Sequence, residues 1–149
     1  MRPRYILACV AIGGLIGGGM IFFHTGPGIK ARPAASSPGS RNQQRVALLG
    51  QLQTALTQYK KEHGNLPVQL SATASQICTS FGAYCKQVHY TDLSFLTTEG
   101  DYVPTMPMDP LGGKGNWASG FFIQEIGTTI TLTAPEAEDG KTIQTNFSL

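Results

Sequence analysis

An uninterrupted apolar run, Tyr5 to Phe23, follows the basic start Met1-Arg2-Pro3-Arg4, and no charged residue appears before His24 and Lys30. At 1.5 Å per residue it makes roughly 28 Å of helix, close to the ~30 Å hydrocarbon thickness of a bilayer. Residues 1–23 are therefore expected to form a transmembrane signal anchor that tethers everything downstream. A cleaved secretory signal competes with this reading, but it calls for a shorter apolar core and a small-residue cleavage site. Phe23-His24-Thr25-Gly26-Pro27 offers no such site. Ile6-Leu7-Ala8-Cys9 has the look of a lipoprotein signal, yet Cys9 lies near the start of the apolar core, where it reads as a small helix residue. Within the run, Gly13, Gly14, Gly17 and Gly18 form two overlapping G-x-x-x-G pairs, a weak signal for helix association. Arg2 and Arg4 draw the N-terminus toward the cytoplasm, while Lys30, Arg32 and Arg41 pull the other way.

A chain of 149 residues leaves room for this anchor and one small domain. Charged residues make up only 13% of it, the net charge is +2, and the basic residues form no stripe. Nucleic-acid binding therefore has no electrostatic support. Residues 24–40 turn to Gly, Pro, Ala and Ser, with no apolar material to pack, and read as a linker. The remaining 41–149 are the expected folded domain.

That domain opens with a helix. Val46, Leu49, Leu52, Leu56 and Tyr59 recur at spacings of three and four, while Gln51, Thr54, Gln58 and Lys61 mark the wet face. Ser40 or Asn42 serves as the expected cap; Gly64 ends the helix and Pro67 prevents its resumption. A short helix is expected over Asp92 to Thr98, capped by Thr91. The prolines of Val103 to Pro110 then require an extended connection. Phe121 to Ile126 and Thr129 to Ala134 flank Gly127-Thr128, a hairpin with a two-residue turn. This register puts Phe121, Ile123, Ile130, Leu132 and Ala134 on one face. A third strand, Thr142 to Phe147, follows the Asp139-Gly140 turn and presents Ile143 and Phe147 inward. The fold class is α+β: one long amphipathic helix on an antiparallel sheet of about three strands.

Cys78 and Cys85 enclose six residues, a spacing that in an extracytoplasmic setting points to a disulfide. The rival is a metal site completed by His63 or His89, but the spacing matches no usual zinc pattern. A disulfide places the domain outside the cytoplasm and the N-terminus inside.

Catalytic chemistry has little to work with. His24 sits at the membrane edge, His63 at a helix end and His89 beside Tyr90, and none adjoins a nucleophile motif. Gly112-Gly113-Lys114-Gly115 lacks the strand and spacing of a phosphate loop and reads as a turn. Glu136-Ala137-Glu138-Asp139-Gly140 is either a solvated turn or a calcium loop. No catalytic, cofactor or metal residue is assigned. The aromatics Phe81, Tyr84, Tyr90 and Trp117 are either core or a glycan- or peptide-binding surface.

The order of these segments carries a resemblance. The amphipathic helix Arg45 to Tyr59 is followed by His63-Gly64-Asn65-Leu66-Pro67, then Asp92-Leu93-Ser94-Phe95-Leu96, then Tyr102-Val103-Pro104-Thr105-Met106-Pro107-Met108-Asp109-Pro110-Leu111-Gly112 and the final strands. Over about Arg41 to Phe147 this resembles the type IV pilin-like proteins, especially the major pseudopilins of type II secretion. In that family a long helix ending in a G-x-x-P-type break packs on a short antiparallel sheet, joined by a proline-rich link ending in Asp-Pro-x-Gly. The resemblance implies a non-enzymatic subunit of an envelope-spanning machine, held in the cell membrane with an extracytoplasmic domain. Its partners are then membrane lipid, other pilin-like or secretion-system subunits and further copies of itself. It also implies that Asp139 lies nearest to the position of a family calcium site. The chain departs from the family at its start: there is no G-F-T-L-I-E-like segment, no Glu within the apolar run, and a Pro/Gly linker precedes the helix.

Overall fold

The computed structural model describes residues 36–79, 83–98, 102–115 and 117–149. The expected anchor, with Gly13, Gly14, Gly17 and Gly18, lies outside the described residues, as does most of the linker. Among the described residues no helix is long and apolar enough to cross a membrane.

The chain forms a long helix α1 (Pro38–His63), a short strand β1 (Ser75–Cys78), two short helices α2 (Ala83–Gln87) and α3 (Phe95–Thr98), and strands β2 (Ala118–Ile126), β3 (Thr129–Ala134) and β4 (Ile143–Ser148). α1 starts earlier than the apolar period indicates. Ser37, not Ser40 or Asn42, is its cap: the Ser37 hydroxyl accepts from the Ser40 amide at 3.2 Å, and Pro38 supplies a preset φ in the first turn. At the other end Gly64, at φ 81°, donates its amide to the Lys60 carbonyl at 2.8 Å and stops the helix. Lys60, Lys61 and His63 crowd the last turn, where the dipole favours them.

The sheet is an antiparallel meander in the order β1-β2-β3-β4, four strands where three were expected. The hairpin has the expected register: Ile126 pairs with Thr129 across Gly127-Thr128, and Ile123 pairs with Leu132. Gly127 sits at φ 63°, which a residue without Cβ adopts freely. Asp139 and Gly140 both take positive φ, 59° and 64°, and the Lys141 amide donates to the Glu138 carbonyl, closing the turn before β4. The added strand β1 pairs with β2 through Ser75 opposite Ile123 and Cys78 opposite Ala118.

The core lies between α1 and the inner sheet face. Leu49, Leu52, Ala55, Leu56 and Tyr59 meet Phe121, Ile123, Ile130, Leu132, Ala134 and Ile143, while Leu93, Phe95 and Leu96 seal one side. Each fully buried aliphatic or phenyl group contributes about 1.5–3 kcal/mol relative to exposure. Phe147 packs on this cluster but is only partly buried. Val46 departs from expectation: it is 60% exposed, and the neighbouring Arg45 takes the inward position. The short helix after Thr91 begins at Phe95 rather than Asp92, because the Asp92 carboxylate folds back to accept from the Ser94 amide.

Candidate functional site

Two groups of polar or exposed side chains stand out from this frame. The first is buried. Two turns into α1, the Arg45 guanidinium reaches Asp109 with two parallel hydrogen bonds, Nε to Oδ2 at 2.6 Å and Nη2 to Oδ1 at 3.0 Å. Both side chains are fully withdrawn from solvent. The remaining Arg45 nitrogen, Nη1, donates to Asn42 Oδ1 and to Glu138 Oε2, each at 2.9 Å. Arg41 grips the same Glu138 carboxylate, its Nε donating to Oε2 at 2.7 Å and its Nη2 reaching Oε1. Asn42 completes the circuit through the backbone of Glu138, donating to its carbonyl at 2.9 Å and accepting from its amide at 3.1 Å.

Three distant segments meet here: the start of α1, the Asp-Pro connection and the turn before β4. Asp109 is held from its own side as well. Its amide donates to the Ser119 carbonyl at 2.8 Å, and its Oδ1 accepts from the Leu111 amide at 2.9 Å. Two guanidinia face two carboxylates, so the cluster is neutral. Among the described residues no buried side-chain nitrogen or oxygen lacks a partner. Hydrogen bonds from Arg41 and then Arg45 pull the Glu138 carboxyl down to about 2 from 4.5. The bonds to Asp109 hold the Arg45 guanidinium above its ordinary value, and those to Glu138 do the same for Arg41.

These contacts bear on the calcium reading of the acidic loop. Glu138 is committed to arginine and Glu136 pairs with Lys114 at 2.7 Å. Among the described residues no three His, Cys, Asp or Glu side chains gather as a metal would require. Cys78 and Cys85 are joined as a disulfide, so neither thiolate serves as a ligand beside His63 or His89. His63 instead stacks on Tyr59, with ring centroids 4.2 Å apart, and its Nε2 lies 3.0 Å from the Tyr102 hydroxyl, which donates to Glu62 at 2.5 Å. His24 lies outside the described residues. In the glycine-rich turn, a Cβ on Gly113 would fall 2.1 Å from the Ala118 carbonyl oxygen, so this glycine is needed for close backbone packing.

The second group is exposed. Tyr84 on α2 and Trp117 just before β2 lie with ring centroids 5.2 Å apart and planes tilted by 34°. They are 52% and 46% exposed. Tyr90 is half-buried, and its hydroxyl lies close to Gly115. Phe81, the fourth aromatic of the expected surface, lies outside the described residues.

The sequence singled out the aromatics and both cysteines but missed the buried network. Arg45 falls in phase with Leu49, Leu52 and Leu56, and that phase was the signal available for it. Comparison of the chain with protein-family models, with curated proteins and with solved structures yields no match in any of the three.

Proposed function

We propose that this protein is a membrane-tethered, pilin-like structural or assembly subunit of a type II secretion or type IV pilus-like system, working through protein contacts. The observation that carries the reading is the buried Arg45–Asp109 pair with Glu138. It fastens the start of the helix, the Asp-Pro link and the turn before β4 into one unit, which supports a subunit that works through contacts on its surface. The apolar run at Tyr5 to Phe23, the helix laid on an antiparallel meander and the order of segments from Arg45 to Gly112 support it. In this reading the domain stands outside the cytoplasm, where the Cys78–Cys85 disulfide persists.

The test is a photo-crosslinking residue at Val46, an exposed position on α1, in the full chain expressed in its membrane. Crosslinks to a second copy or to another membrane-anchored subunit are expected. A chain that stays uncrosslinked, fractionates with the cytosol and carries free thiols at Cys78 and Cys85 overturns the proposal.

A further inference from the structure

The Tyr84–Trp117 pair is built more firmly than an incidental surface contact. Trp117 is the single tryptophan of the chain and holds a left-handed backbone, φ 66°. Such a conformation is unfavourable for a bulky non-glycine residue and persists only where the surroundings enforce it. Here the Trp117 carbonyl accepts from the Thr79 amide at 2.7 Å, and the next residue, Ala118, pairs with Cys78. Tyr84 is fastened to the same place from the other side. The adjacent Cys85 is disulfide-bonded to Cys78, and both cysteines are buried. One covalent bridge and one strand pairing thus converge on Cys78 and anchor the backbone that carries both rings, while each residue stays about half exposed.

We infer that this pair is a carbohydrate-binding platform that takes pyranose units of an oligosaccharide on its outer ring faces. Three observations select this ligand class. First, the centroid spacing of 5.2 Å leaves no slot between the rings. A saturated ring or side chain inserted there needs roughly 4 Å of contact distance on each side, about 8 Å in all. That excludes the insertion by which a proline would be gripped between aromatics, and leaves the outer faces. Second, a pyranose presents C–H bonds on its flat face and hydroxyls around its edge. The pair offers apolar ring faces together with an indole N–H and a phenol hydroxyl that make no protein hydrogen bond among the described residues. Third, the rings are uncharged and the charged residues nearest to them in sequence, Lys86 and Lys114, are exposed cations, which disfavours cationic ligands and leaves neutral sugars admissible. The inference is independent of the secretion-system reading and stands or falls on its own measurement.

Because Trp117 is the only tryptophan, its emission reports this site alone. The experiment titrates the detergent-solubilised full chain with a β-1,4-linked N-acetylglucosamine tetramer, a β-1,4-linked glucose tetramer and a proline-rich decapeptide. A saturable emission change with either sugar, with Kd near or below about 1 mM, is expected. Tyr84→Ala, checked for an intact disulfide and unchanged far-ultraviolet circular dichroism, weakens it about tenfold or more. Tyr84→Phe keeps the ring and most of the affinity. A flat response to both sugars overturns the assignment, as does saturation by the peptide alone or affinity that survives loss of the Tyr84 ring.

Discussion

Arg45 and Asp109, 64 residues apart in sequence, form a two-bonded ion pair from which water is wholly excluded. Their mutual attraction offsets the cost of removing both charges from solvent only while both partners remain. Asp109→Ala strands the guanidinium and is expected to cost about 3–5 kcal/mol, measured by urea unfolding. Arg45→Met is expected to be similarly severe, because it abandons Asp109 and also releases Asn42 and Glu138. The double variant should lose clearly less than the two singles combined. Simple additivity in that cycle rules out direct coupling.

Acid should loosen the same junction. The folded state holds the Glu138 carboxyl at about 2, below its ordinary 4.5, so folding favours the ionised form. The resulting stability is fully present above the ordinary value and drains away as pH falls from 4.5 toward about 2. Glu138→Gln is expected to flatten this acid limb. The limb should not vanish, because Glu62, lowered chiefly by the Tyr102 hydroxyl and then by Gln58, contributes with the same sign. Thermal melts between pH 2 and pH 6 would show the difference in slope; superimposable curves refute it.

The Cys78–Cys85 bridge closes a short loop, with a sequence separation of 7. In the chain-entropy account it contributes about 2.5 kcal/mol by restricting the unfolded chain. A Cys78→Ala/Cys85→Ala variant is therefore expected to melt at a lower temperature, by calorimetry. The sulfurs are buried, so dilute reductant should act only slowly on the folded protein.

Gly120 occupies φ 87°, and a Cβ there would fall 2.6 Å from the Asp109 Cβ. Gly120→Ala is expected to destabilise by more than about 1–3 kcal/mol, since backbone strain and a clash at the buried ion pair add together. A neutral outcome in chemical denaturation contradicts this geometry.

Val46→Lys, by contrast, should change stability by no more than about 0.5 kcal/mol, as is usual for exposed sites. A larger loss in the same assay would place Val46 in the core after all.

That last pair of expectations marks where the sequence could and could not be read. The hairpin was legible because alternation and the Gly127-Thr128 turn constrain the same register, and the structure pairs Ile126 with Thr129 accordingly. The helix face was legible through Leu49, Leu52, Leu56 and Tyr59, but hydropathy assigned the adjacent inward position to Val46. An arginine can occupy an apolar stripe once a carboxylate far along the chain neutralises it, and Asp109 is invisible to any local window. β1 escaped notice for a related reason. Ser75-Gln76-Ile77-Cys78 is too short to establish a period, and pairing with β2 makes it a strand. The polar network was therefore the least legible part, although its residues were all in plain view.

The spans closed by that network have a kinetic consequence. β2, β3 and β4 pair in chain order, so the meander assembles at small entropic expense, whereas Arg45 must find Asp109 across 64 residues and Glu138 across 93. Docking of the helix start is therefore expected to come late on the way to the native state. Arg45→Met should accordingly hasten unfolding in stopped-flow traces while leaving the refolding rate almost untouched. If the traces show that order, a nascent copy would keep this end of its helix accessible until the last step.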